Sequence, residues 1–256
     1  MERCSNIGRG RKRKDMRAII DLVLLGILII CTWCGYKKGI LMGLGGILCI
    51  IISIYGGNLL ANLFSYDVAS ALKPFASGYT EGLLTGTDSK VLKQMGWENS
   101  NYSVEDLLQQ HPEQQLPLAV ACYKTLGLND DTAERMAGEA VEYARENDGT
   151  LTGAIVQILC RTASYVGCFV LAFLLILILL TVVGNLPNLS YKIPNLDLFN
   201  DIGGAVLGVV TGLMFCVVLV WALKYLGMIL GSETLASSIF GGRLLGWDPL
   251  YQYLNY

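Results

Sequence analysis

The chain has 256 residues, of which 53% are hydrophobic and only 16% charged. That balance is too apolar for one soluble domain of this length. The formal net charge of −2 conceals a segregation. Residues 1–17 carry Arg3, Arg9, Arg11, Lys12, Arg13, Lys14 and Arg17 against Glu2 and Asp15, whereas residues 67–149 hold fourteen acids and six Lys or Arg.

The basic tail, residues 1–17, precedes an apolar segment. Gly10-Arg11-Lys12-Arg13-Lys14 has the composition of a nucleic-acid patch, but at this position it reads as a positive-inside anchor, and no nucleic-acid partner is expected. A basic start followed by an apolar run also describes a signal peptide. Cys31 through Lys38 contains no A-x-A-like site, and Ile30 is too large for a lipoprotein cleavage before Cys31. An uncleaved helix is expected.

Four uncharged apolar stretches follow: Leu22–Tyr36, Gly39–Tyr66, Thr162–Tyr191 and Ile202–Leu223. A bilayer core needs about 20 apolar residues of helix. The last three stretches clear that length, and the first gains Ala18, Ile19 and Ile20 across Asp21. The fold class expected is an all-α integral membrane protein. Its four transmembrane helices form two hairpins with a small helical polar domain between them.

In chain order, residues 18–63 form the first transmembrane hairpin. Its first helix covers about Ala18–Cys34, Gly35-Tyr36-Lys37-Lys38 makes the turn, and the second helix runs to about Leu63. Residues 64–149 form the acidic polar domain. Within it Ser103-Val104-Glu105-Asp106 resembles a capping box ahead of Leu107 and Leu108, and Pro112 and Pro117 break that helix early. Leu118–Leu126 reads as a short helix stopped by Gly127. Asp130 or Asp131 caps a further helix through Arg145, whose Ala133, Met136, Ala137, Ala140, Val141 and Ala144 share one face. Asn147-Asp148-Gly149 ends it.

Residues 150–230 form the second transmembrane hairpin. A helix from near Thr150 crosses Arg161, whose long side chain can reach head groups, and spans to about Val183. The stretch Gly184–Asn200, with Pro187 and Pro194, turns rather than spans. A last helix runs from about Asp201 to Leu230. The tail, residues 231–256, carries Trp247, Tyr251, Tyr253 and Tyr256 and suits a membrane interface.

Glycine recurs every four residues at Gly35, Gly39 and Gly43, and again at Gly204, Gly208 and Gly212. Residues four apart share a helix face, and glycine lets two backbones approach closely, which in lipid is a main driving force for association. These six are the expected helix-packing positions. The expected partners are the lipid bilayer and, through the glycine faces, a second copy or another membrane protein. The runs GLGGILCII from Gly43 and GVVTGLMFCV from Gly208 also hint at a duplicated, transporter-like plan.

Two acids stand in or beside the apolar helices. Asp21 and Asp201 are candidate intramembrane polar residues, since an acid there suggests a proton or ion path. The competing reading places both at helix N-termini, capping free amides in a favourable dipole.

Other chemistry finds little footing. Cys31-Thr32-Trp33-Cys34 has redox spacing, but it ends an apolar helix, where the dipole opposes a thiolate. Cys4, Cys49, Cys122, Cys160, Cys168 and Cys216 complete a set that reads as small hydrophobes rather than a disulfide framework. His111 is the single histidine, placed before Pro112 in a polar loop. No zinc spacing or phosphate loop is present, so no catalytic residue, metal or cofactor is expected.

The N-terminal pieces are Asp21, then Gly35-Tyr36-Lys37-Lys38-Gly39 and the glycine-rich second helix. The C-terminal pieces are Leu186-Pro187, then Asn200-Asp201-Ile202-Gly203-Gly204-Ala205-Val206-Leu207-Gly208 and Gly212. Together they resemble the colicin V production protein (CvpA) family over about residues 18–62 and 152–230. The resemblance implies a non-enzymatic, multi-spanning bacterial inner-membrane protein linked to toxin production, toxin export or envelope physiology. A small ion-coupled transporter or channel using Asp21 or Asp201 is the alternative. Four spans put tail, acidic domain and C-terminus on one side, and the base count near helix ends places that side in the cytoplasm.

Overall fold

The computed structural model describes residues 2–85, 89–97, 103–185, 197–225 and 242–244. Among these residues the secondary structure is entirely helical. The elements are α1 (Glu2–Thr85), α2 (Lys90–Met95), α3 (Val104–Gln110), a 3-10 turn (Pro112–Gln114), α4 (Gln115–Thr125), α5 (Asp130–Glu146), α6 (Leu151–Asn185) and α7 (Asp197–Tyr225). Three helical segments are long and apolar enough to cross a membrane: Ala18–Leu84, Leu151–Gly184 and Leu198–Tyr225. Residues 186–196, with Pro187 and Pro194, lie outside the described residues, as does the expected interfacial tail apart from residues 242–244.

The chain divides into two compact units. The first comprises Met1–Ala61, Cys168–Leu223 and Glu233–Asn255; the second comprises Asn62–Gly167, Lys224–Ser232 and Tyr256.

In the first unit, α1 is not one straight rod. Gly39 has φ 78 and ψ −178, a non-helical conformation that joins two helical segments. A positive φ is open to glycine at little cost and strained for other residues. The sequence reading set the turn at residues 35–38; those residues are helical, and the break falls at Gly39 because only there does the backbone leave the helical region. The contacts on its two sides run in opposite senses along α7. Before the break, Leu24 meets Cys216, Leu28 and Cys31 meet Gly212, Cys31 meets Gly208, and Gly35 meets Gly204. After it, Gly43 meets Leu207 and Gly46 meets Thr211. Between α6 and α7 the rings pair in falling order. Phe169 packs edge-on against Trp221 with centroids 5.0 Å apart, and Phe173 packs against Phe215 at 6.0 Å.

Helix α1 also runs past the expected end near Leu63, to Thr85. The added turns are rich in Ala, Ser and Leu, and their one proline, Pro74, is exposed. The Ser70 carbonyl, deprived of its usual donor by Pro74, is on a helix open to its surroundings, which limits the cost. One turn on, Ser77 Oγ donates to the Lys73 carbonyl at 2.8 Å.

The second unit is built around side chains. Leu118, Ala119, Cys122, Tyr123, Ala133, Met136, Ala137, Ala140, Ile155 and Leu159 share one buried cluster with Leu84 and Val91. The face expected on α5 is the one that packs: Ala133, Met136, Ala137 and Ala140 are buried, and Val141 and Ala144 lie against the cluster. Caps mark the helix starts. Ser103 Oγ accepts from the Asp106 N–H at 3.1 Å and donates to Asp106 Oδ2 at 2.7 Å. The cap of α5 is Asn129, whose Oδ1 accepts from the Thr132 N–H at 3.1 Å. It is not Asp130 or Asp131, which stand in the first turn and favour the helix through its dipole instead. The stop at Asn147-Asp148-Gly149 is an αL turn, with Asp148 at φ 47.

Candidate functional site

The residues singled out in the sequence meet along α7 in the first unit. A Cβ on Gly35 would fall onto the Gly204 carbonyl oxygen, and one on Gly204 onto the Gly35 carbonyl oxygen. A Cβ on Gly208 would lie 2.5 Å from the Cys31 carbonyl oxygen and 3.0 Å from the Thr32 Cα. At those three positions backbone lies against backbone, and no side-chain adjustment makes room. Gly212 is less tight, with Cys31 Cβ at 3.1 Å and Leu28 close by. Gly43 faces a side chain, with Leu207 Cβ at 2.8 Å from its would-be Cβ. The six glycines therefore form one seam rather than two separate ladders. By contrast Gly26 and Gly45 have nothing within 4 Å of a Cβ, so these glycines do not serve close packing.

Gly39 differs from the other five, because its neighbour is a polar side chain. A Cβ there would collide with the Asn200 carboxamide. Asn200 is buried, and its Oδ1 accepts from the Ile40 N–H at 3.0 Å. Ile40 opens the helical segment after the break, where the first amides lack intrahelical partners. Asn200 thus caps that start from a residue 160 positions away in sequence. An amide at a helix start that loses its acceptor costs free energy, and here a side chain delivered by another helix supplies that acceptor. The sequence reading placed Asn200 among turn residues and missed this role. The local signal is a carboxamide three residues ahead of Gly203-Gly204.

The two acids are not brought together. Asp21 neighbours Ile20, which packs with Cys216 and Val220, whereas Asp201 adjoins Asn200 at the other end of α7. In the register set by Leu24 and Cys216, the two stand about 27 Å apart along the helix. Neither acid caps a helix. α1 begins at Glu2 and α7 at Asp197, so each acid sits inside a helix, with Asp201 one turn in and Asp21 far beyond the first turn. Both are partly buried. Cys31 is half-buried in the seam beside Gly208 and Gly212, while Cys34 is exposed; both are free thiols.

The second unit holds polar contacts of a structural kind. Tyr123 is buried and its hydroxyl donates to the Ile155 carbonyl at 3.0 Å. Arg135 Nη2 donates to the Tyr225 hydroxyl at 2.5 Å, with the guanidinium 5.8 Å from that ring's centroid. Burial pushes the Cys122 thiol up to about 12, and burial, chiefly, also raises the Tyr123 hydroxyl. His111 is exposed and sits 3.2 Å from Glu113. Glu113 is held below the usual carboxylate range, first by a backbone hydrogen bond. Among the described residues no group of three or more His, Cys, Asp or Glu is placed to hold a metal ion.

Comparison with known families adds one finding. Residues 133–244, somewhat less than half of the chain, match the family model described as colicin V production protein. The match runs from within α5 through α7 to residue 244 and includes Asn200, Gly204, Gly208 and Gly212. No curated protein and no solved structure matches the chain.

Proposed function

We propose that the chain is a non-enzymatic, multi-pass protein of the bacterial inner membrane with a CvpA-like part in the production or export of a secreted toxin. The observation that carries this reading is the colicin V production domain at residues 133–244. Removing the chain from a bacterium that secretes a peptide toxin tests it. Less toxin in the medium at unchanged toxin transcript is the expected result. Unchanged release, with the envelope equally intact, would sink the idea.

In this reading the membrane part has four spans in two hairpins. The break at Gly39 supports the first hairpin, since contacts with α7 fall in number before it and rise after it. The falling pairs Phe169–Trp221 and Phe173–Phe215 support the second. The glycine seam and the Asn200 cap lock the first hairpin onto α7. Lys37 and Lys38 then lie on the side opposite α5. By the base count at the helix ends, the acidic domain faces the cytoplasm.

Single cysteines at exposed positions decide this topology, in a chain whose other thiols are replaced. With a membrane-impermeant maleimide, Lys37→Cys is expected to react in intact cells and Glu134→Cys only after lysis. Labelling of both in intact cells, or of neither, would rule out an odd number of crossings between them. The reverse pattern would keep the hairpins and invert the orientation.

A further inference from the structure

An apolar groove of about 570 Å³ opens on the first unit, walled by the segment before Gly39 and by Ala205 of α7. Leu25, Leu28 and Ile29 line one end, and Trp33 and Tyr36 the other. Thr32 lies between them, but its hydroxyl donates to the Leu28 carbonyl at 2.7 Å, so its one donor is spent on its own helix. A cation stands at the aromatic end. Lys37 Nζ stands 5.1 Å from the centroid of the Trp33 ring, and Lys38 follows it.

We propose that this groove binds one anionic phospholipid, an acyl chain lying between Leu25 and Tyr36 and the headgroup phosphate meeting Lys37. The proposal rests on the reading that residues 18–38 cross a bilayer, and it adds a specific ligand to it. Three observations select this occupant. The groove runs from Leu25 to Tyr36, twelve residues of helix with a rise of about 17 Å. That is close to one leaflet, half of a hydrocarbon core of about 30 Å. Its aromatic end carries Trp and Tyr, the side chains that sit at headgroup level. Lys37, over the Trp33 ring, puts a cation at that end, and a basic side chain near the surface favours an anionic headgroup over a zwitterionic one by about five-fold. A second copy docking there across a two-fold axis near this end would bring its own Lys37 and Lys38 against these, like charge on like.

The test places the full chain in nanodiscs, with Trp97, Trp221 and Trp247 replaced by Phe so that Trp33 alone reports. A small, equal fraction of phosphatidylglycerol or of phosphatidylcholine carries bromine on its acyl chains. Several-fold stronger quenching by the brominated phosphatidylglycerol is expected, falling to parity when Lys37→Gln and Lys38→Gln are combined. Equal quenching by the two lipids with both lysines present would overturn the proposal, leaving ordinary boundary lipid. Quenching by neither would overturn it and the span reading together. Native mass spectrometry of the chain with its four tryptophans intact supplies a readout independent of the Trp replacements. Retained phosphatidylglycerol is expected to exceed phosphatidylcholine and to drop with Lys37→Gln and Lys38→Gln or with Ala205→Phe. Equal retention overturns the proposal.

Discussion

The two units solve the packing problem by opposite means. In the first, helices meet where side chains are missing, and carbonyl oxygens of one segment occupy the space a Cβ would need on the other. In the second, helices meet through buried Leu, Ala, Met and Tyr side chains, the ordinary solution in water. On the proposed topology, with the first unit in lipid and the second in water, the difference follows from the solvent. Lipid rewards no apolar burial between helices, so close backbone approach and satisfied amides must hold the first unit. Water rewards it strongly, so the second unit can rely on a filled core.

The sharpest way to break that contrast is to put a side chain into the seam. Gly208→Leu drives a branched group into the Cys31 carbonyl and Thr32 Cα, where nothing flexible can yield. Loss of membrane-integrated, protease-resistant protein is expected. Gly45→Leu, at a position with nothing within 4 Å, is expected to accumulate normally. If the two variants accumulate equally, the seam does not hold the unit. The matching perturbation in the second unit is Leu118→Ala, a fully buried side chain. It is expected to cost about 2–5 kcal/mol, the range for emptying a core site. Thermal unfolding of the full chain in detergent reads the loss, and a change near zero would mean the cluster is not a tight core.

A smaller effect distinguishes the cap from the seam. Asn200→Ala leaves the packing space intact and strips the Ile40 N–H of its acceptor. A loss of about 1 kcal/mol is expected, the worth of an ordinary hydrogen bond at a part-buried donor. Asn200→Asp keeps the oxygen and is expected to recover part of that loss. Resistance to denaturation by added SDS compares the three chains. If Asn200→Ala matches the parent, the contact is incidental.

These effects also mark where the chain was readable. A period of four glycines within apolar runs is visible locally, because helix faces repeat within a few residues. That Gly35 faces Gly204 is not, since pairing between distant helices leaves no trace in a single sequence. The apolar face of α5 was legible for the same local reason, and the Ser103–Asp106 box because both partners lie within one turn. Asn200 was not, because its partner is 160 residues away. The helical turns beyond Leu63 continue into more polar sequence, past the end of the apolar run that defined the expected helix. The capping alternative for Asp21 and Asp201 took the ends of the apolar runs as helix starts, whereas the helices begin at Glu2 and Asp197, outside those runs.

The smallest effect concerns proton chemistry in the second unit. Cys122 is fully buried, and burial lifts its thiol from 9.0 to about 12. The folded state therefore keeps a proton that the unfolded chain gives up near pH 9. Stability from this group is intact below that point and falls as pH rises toward 12, by up to about 1.4 kcal/mol per pH unit. Cys122→Val fills nearly the same volume and carries no proton. It is expected to flatten the alkaline limb of stability between pH 9 and the onset of tyrosine ionisation near pH 10, where Tyr123 begins to contribute in the same direction. Parent and variant curves that superimpose through this window would show that Cys122 is not sealed from water. The core of the second unit would then be looser than its buried side chains imply, and the contrast with the glycine seam correspondingly weaker.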